Sequence, residues 1–255
     1  ARVLGVPLAG LFGQVHDEVA AYGSGGFTSL TDEELERQLG GWVNNDGIPR
    51  VKMKVGTAWG SREDRDVERV GVARRAIGDE AELYVDANGA YTAKQAVRLA
   101  ERFEALGVTW LEEPVSSDDL DGLRVVRERV GCDVAAGEYG FDVSYFERMC
   151  AAGAVDCLQA DVTRCGGFTE WLRVAAVAAA HGLDISAHCA PALHTHVAGT
   201  VPNVRHIEYF ADHVRVERLL FAGVPEPRGG CLRPDLSAAG MGLELKRVDA
   251  ERWRR

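Results

Sequence analysis

Three carboxylates recur at equal intervals: Asp86 in Leu-Tyr-Val-Asp, Glu112 in Trp-Leu-Glu-Glu-Pro and Glu138 in Ala-Ala-Gly-Glu, each 26 residues from the next. Each closes a short apolar run of strand-like composition, so the interval is the length of a repeated strand-and-helix unit. Carboxylates gathered from three strands repel one another unless a cation lies between them. Three oxygen donors with no imidazole or thiolate in the set favour a hard ion such as Mg²⁺. The spacing therefore predicts a metal-dependent active site.

The elements that would position these groups can be read from periodicity. Eight β-rich runs alternate with amphipathic helical patterns: Ala20 to Tyr22, Val51 to Val55, Glu82 to Asp86, Thr109 to Glu112, Asp133 to Gly137, Cys157 to Asp161, Asp184 to His188 and His206 to Tyr209. One helix shows the pattern: Ala96, Leu99, Ala100, Phe103 and Leu106 form an apolar stripe, with Glu101, Arg102 and Glu104 left to solvent. Thr31 with Glu34 and Ser61 with Asp64 read as capping boxes, and Gly78, Gly107, Gly131, Gly153 and Gly182 stand where a left-handed residue would end a helix. No Gly-rich dinucleotide fingerprint follows the first strand, so an α/β fold of the (β/α)₈ barrel type is expected over residues 20–222 rather than an open doubly wound sheet. Gly-Ser-Gly-Gly at 23–26 reads as a flexible loop, and residues 223–255, rich in Pro and Gly, as an irregular segment that wraps something.

Composition excludes other classes. With 255 residues and 46% hydrophobic content the chain can bury a large core. A net charge of −10 argues against nucleic acid, and no apolar stretch is long enough to span a membrane. Arg252, Arg254 and Arg255 read as a solvated basic end. The apolar run from Val3 to Phe12 is broken by Gly5, Pro7 and Gly10, unlike a signal-peptide core. Six scattered cysteines without zinc spacing read as buried thiols of a reducing, cytoplasmic compartment.

In such a barrel the C-terminal strand ends converge on one face. Lys52 and Lys54, two apart on strand two, share a side of it. Strands three to five deliver Asp86, Glu112 and Glu138, strand six ends at Asp161, strand seven at His188, and strand eight contains Glu208. Any one of these reads as a solvated loop residue. Seven consecutive strands, each with an ionisable group set among Val, Leu and Ala, do not, because buried charges cost several kcal/mol each unless paired or bound to metal.

The ordered motifs VKMKVG, YVDANGAY, WLEEPV, AGEYG, QADVTRCGG, SAHCAP and IEYF resemble the enolase superfamily, in its mandelate racemase branch. The resemblance implies Mg²⁺ on Asp86, Glu112 and Glu138, with Lys54 and a His188–Asp161 dyad as acid and base groups on opposite faces of a substrate. By the same resemblance Glu208, Lys52 and Asn88 would hold a small-molecule carboxylate. Lys54 needs a depressed pKa to act as a base, which Lys52 and the metal would supply. Arg164, His194, Tyr91, Tyr139 and Phe168, following strand ends, are further candidates to line the pocket.

The implied reaction is abstraction of a proton α to a carboxylate. Its expected form is dehydration of an aldonic or aldaric acid to a 2-keto-3-deoxy acid, with racemisation or epimerisation of a 2-hydroxy acid as the alternative. The family also carries an N-terminal α+β capping domain that is absent here, and residues 1–19 read as what is left of the connecting helix. A third reading is thus a capless fragment that binds metal without turnover, and its exposed apolar surface suggests a homo-oligomer.

Overall fold

In the computed structural model, which describes residues 1–254, every expected strand forms within three residues of its anticipated ends. In chain order the elements are α1 (Leu8–Phe12), β1 (Val19–Gly25), α2 (Asp32–Asn44), β2 (Arg50–Lys54), α3 (Glu63–Ile77), β3 (Glu82–Asp86), α4 (Ala93–Glu104) and β4 (Val108–Glu112). They continue with α5 (Leu120–Arg127), β5 (Asp133–Ala136), α6 (Val143–Ala151), β6 (Cys157–Ala160), α7 (Phe168–Ala180), β7 (Asp184–Ala187), α8 (Pro191–Ala198), β8 (Val204–Phe210) and α9 (Ala211–Leu220). Strands β1 to β8 pair in parallel in sequence order, and β8 pairs back to β1, which closes a (β/α)₈ barrel.

Outward-facing strand residues share one apolar core with the helices. From α4, Ala96, Leu99, Ala100 and Phe103 are buried as the stripe predicts. Thr31 and Glu34 form their capping box, and an unanticipated one joins Thr92 to Gln95. Ser61 does not cap α3, because its hydroxyl donates instead to the Ala58 carbonyl at 2.8 Å and Arg62 occupies the cap position. Of the five proposed helix-ending glycines, Gly78, Gly107, Gly153 and Gly182 have positive φ and Gly131 does not; Gly78, with ψ of −178°, is outside the left-handed helical region.

Of the flexible loop expected at 23–26, residues 23–25 are instead the upper half of β1, and only Gly26 lies past its end. Its small residues serve packing: a Cβ on Gly23 would lie 2.5 Å from the Trp42 ring of α2. The segment after α9 is also less irregular than anticipated. Residues Cys231–Leu232 pair with the start of β1, Glu244–Leu245 pair with Phe221–Ala222, and Gly240 bridges to Pro7, so this segment wraps the barrel itself. Arg252 and Arg254 are exposed, and Arg255 lies outside the described residues. Five of the six cysteines are buried, all six are free thiols, and no helix among the described residues is long and apolar enough to cross a membrane.

Barrel interiors of this type are dominated by branched aliphatic residues. Here the inward-facing alternation along β1, β2, β3, β4, β6 and β8 instead supplies Tyr22 and Ser24, Lys52 and Lys54, Tyr84 and Asp86, Trp110 and Glu112, Cys157 and Gln159, His206 and Glu208. Aromatic rings fill the foot of the barrel and charges its mouth.

Candidate metal and acid–base site

Asp86 and Glu112 end β3 and β4, and their register pairs them across the sheet. Glu138 stands two residues past β5, after Gly137, whose φ of 133° and whose approach to the Gln159 carbonyl oxygen leave no room for a Cβ. The three acids are 0%, 0% and 4% exposed, and one carboxylate oxygen from each lies within 4.8 Å of the others. Burial and the Asp86 charge push the Glu112 carboxyl up to about 8. Burial and Glu138 push the neighbouring Glu113 up to about 9. Glu138 Oε2 and Glu113 Oε1 are buried without a hydrogen-bond partner among the described residues. Crowded, under-neutralised oxygen donors with orphaned atoms fit a hard divalent cation, and the fit falls on the three residues expected from spacing.

The lysines are placed differently from each other. Lys52 is fully buried, 2.5 Å from Glu112 and 2.9 Å from Glu208. Burial alone would lower its pKa, but Glu112 and Glu208 raise it well above the ordinary value, so it remains an ammonium. In the structure its partners are the protein's own carboxylates, which it holds from below. Lys54, at the mouth, pairs with Asp86. Here too burial favours the neutral amine and the Asp86 carboxylate overrides it, so the expected depression of the Lys54 pKa is not found among the protein's own groups.

On the other side, His188 Nδ1 lies 2.9 Å from Asp161 Oδ2, and its Nε2 lies 3.1 Å from Glu138 Oε2, at ion-pair distance but without hydrogen-bond geometry. Asp161 is itself held by the Thr163 amide and hydroxyl, each at 2.7 Å. Burial would raise the Asp161 carboxyl, but the bond from His188 and the neighbouring imidazoles bring it down to about 2. An ionised Asp161 fixes the proton on Nδ1 and leaves Nε2 facing the carboxylates.

Other candidates divide. Glu208 is buried, accepting from Ser24 Oγ at 2.5 Å and from the Cys189 amide at 2.9 Å. Arg164 donates to Glu138 at 3.2 Å and lies 5.5 Å over the Tyr139 ring, so both border the site. The Asn88 side chain is exposed at the mouth, on a left-handed residue whose amide donates to Asp86. His194 does not line the pocket. It is fully buried, its Nε2 accepts from the Val162 amide at 3.0 Å and its Nδ1 donates to the Cys189 carbonyl at 2.8 Å. Burial lowers its pKa to about 4, so it is a neutral staple between the residue after Asp161 and the residue after His188. Tyr91 is likewise structural, donating to Asp66, which folds the loop after β2, and Phe168 packs on Phe12.

Sequence reasoning missed the groups that support Glu112. Trp110 Nε1 and Gln159 Nε2 both donate to Glu112 Oε2, at 3.1 and 2.9 Å. The signal was available for Trp110, which lies two residues before Glu112 and so on the same face. Glu113 was missed because strand alternation would point it outward; its φ of 40° turns it.

A cavity of about 1010 Å³ lies elsewhere, between α8, α9 and the C-terminal segment, and none of these strand-end groups lines it.

Comparison with known proteins agrees with the barrel fold. Residues 34–250 match the family described as enolase C-terminal domain-like. The chain is 31% identical over 211 residues to an L-talarate/galactarate dehydratase of Salmonella typhimurium, covering 82% of the chain and 52% of that protein. Other curated relatives are cycloisomerases and an epimerase. A mandelate racemase/muconate lactonizing enzyme-like protein from Rubrobacter xylanophilus superposes with a TM-score of 0.94 at 52% identity, over 99% of this chain and 69% of that one. A racemase from Streptomyces coelicolor solved with bound magnesium superposes at 0.89 with 29% identity, over 98% and 67%. The chain thus spans about two fifths to two thirds of the length of the curated relatives it matches.

Proposed function

We propose, from the premise that this chain belongs to the enolase C-terminal domain-like family, that it abstracts the α-proton of a hydroxy-carboxylate with the aid of Mg²⁺ held by Asp86, Glu112 and Glu138. The observation that carries this reading is that two proton-transfer groups flank the carboxylates, Lys54 against Asp86 and His188 against Glu138. When bound, Mg²⁺ supplies positive charge to the substrate carboxylate, where negative charge develops as the proton leaves. Lys54 or His188 Nε2 takes the proton, and Asp161 keeps the imidazole in the tautomer that can accept it. Lys52 steadies Glu112 and Glu208, and Arg164 steadies Glu138.

In the reaction we favour, the second group donates its proton to a departing β-hydroxyl, so an acid sugar is dehydrated to a 2-keto-3-deoxy acid. The dehydratase among the relatives supports that choice, and the epimerase supports the alternative, in which the second group returns the proton on the opposite face. Incubation with a panel of aldonates and aldarates, with 2-keto acid as the readout, tests it. Exchange of the α-proton for deuterium without elimination would favour racemisation, and Mg²⁺ binding without either reaction would favour a chain that needs more of the full-length protein to turn over. His188→Asn is expected to lower turnover by about 10²–10⁴-fold while Mg²⁺ affinity, measured by calorimetry, is retained. Unchanged turnover would rule His188 out.

A further inference from the structure

Cys189 follows His188, and consecutive residues of an extended strand point to opposite faces. In this chain they do not. Two successive left-handed residues, Cys189 with φ 51° and Ala190 with φ 39°, bring the Cys189 thiol round beside the imidazole. Non-glycine residues in this region are strained by about 1 kcal/mol or more each and persist where the surroundings fix them. What fixes Cys189 is its amide bond to Glu208 Oε2 at 2.9 Å and its carbonyl bond to His194.

The result is a convergence of three different donor atoms. Cys189 Sγ lies 3.4 Å from His188 Nε2, Glu208 Oε2 lies 3.6 Å from the same nitrogen, and the three residues offer ligand atoms all within 4.8 Å of one another. Bonds of about 2.3 Å to sulfur and 2.0–2.1 Å to nitrogen or oxygen give a tetrahedral site ligand-to-ligand edges of roughly 3.4–3.6 Å. The two observed distances match those edges. The three residues are only 5%, 5% and 1% exposed. A second feature points to the same place: the orphaned Glu138 Oε2, on a residue 4% exposed, is aimed at His188 Nε2 from 3.1 Å.

We propose that His188, Cys189 and Glu208 form a second cation site, selective for a borderline or soft divalent ion of the zinc, cobalt and cadmium class, beside the all-oxygen site formed by Asp86, Glu112 and Glu138. The donor set decides the class: a thiolate and an imidazole bind such ions strongly and Mg²⁺ poorly. On binding, the Cys189 S–H bond gives its proton to solvent and a metal–sulfur bond replaces it, while the ion takes the Nε2 lone pair. The site is therefore inhibitory. That consequence rests on the proposed role of His188, whereas the binding itself does not.

The test is titration of the 255-residue chain with Co²⁺ in excess Mg²⁺, following thiolate-to-cobalt charge-transfer absorption. One equivalent is expected to produce the band, Cys189→Ser to abolish it, and Cys231→Ser to leave it intact. His188→Asn keeps the thiol and is expected to weaken Co²⁺ binding by at least about tenfold. No band in the wild-type chain, a band that survives Cys189→Ser, or undiminished affinity in His188→Asn would each overturn the proposal. Failure to find any turnover would count against the proposed function and would not alter this absorption result.

Discussion

At the foot of the barrel Arg205 is held by Asp133 at 2.5 Å and Asp184 at 3.0 Å and lies 5.6 Å over the Trp110 ring. At the mouth, Glu113 and Glu138 each keep a buried carboxylate oxygen without a hydrogen-bond partner among the described residues. The foot also has an orphan, Nε2 of His206, but burial pushes that pKa well below its usual value and the imidazole stays neutral, which costs far less than an unpartnered carboxylate. The mouth buries its charged groups, whereas those of the foot are partly exposed and are paired by side chains of the same end. Stability alone accounts for the foot. The mouth carries more carboxylates than its own cations neutralise, an excess that an added cation would balance, which is the physical mark of a functional site.

That contrast can be broken in graded steps. The largest effect is expected at the mouth. Asp86→Asn removes an oxygen donor and should weaken Mg²⁺ by more than about 100-fold, measured by calorimetry, with little loss of thermal stability because it also relieves carboxylate crowding. Parallel losses of stability and binding would show the acids to be structural. Next is His194→Phe, which orphans the Val162 amide and the Cys189 carbonyl and should cost about 2–3 kcal/mol in denaturant unfolding. If the dyad depends on this staple, turnover falls further than that loss predicts while KM holds.

Trp110→Phe joins the two ends and should be intermediate. Loss of the bond to Glu112 is expected to cost about 1–2 kcal/mol and to weaken Mg²⁺ by about tenfold, since groups behind metal ligands tune affinity on that scale. Retained affinity would mean that foot and mouth are independent. The smallest effect belongs to Arg205→Met, where the half-exposed Asp133 and Asp184 keep access to water; about 1 kcal/mol of stability should be lost and Mg²⁺ affinity should not move.

The barrel was legible in the sequence because each strand is a short apolar run punctuated by helix-ending glycines, and the three acids were legible because strand ends in this fold meet at one place. Gly23 to Gly26 misled because composition cannot distinguish a glycine chosen for freedom from one chosen so that Trp42 can approach. His194 misled for a different reason. Its partners, Val162 and the Cys189 carbonyl, are backbone groups, one of them 32 residues away, and no side-chain pattern marks them. Lys52 and Lys54 were rightly put on one side of β2, but which carboxylates each would meet depended on depth in the barrel, and two residues of depth separate an enclosed ammonium from one at the mouth.

The placement of Trp110 has an optical consequence. Its indole N–H donates to Glu112, a carboxyl raised to about 8, and its ring stacks on Tyr84 at 5.5 Å. Indole emission responds to charge at its nitrogen, so any change in the state of Glu112 should appear as a shift in fluorescence from the buried heart of the barrel. Subtracting the spectrum of Trp110→Phe isolates that signal from the other four tryptophans, and gives the molecule an internal dye that can be read before any substrate is known.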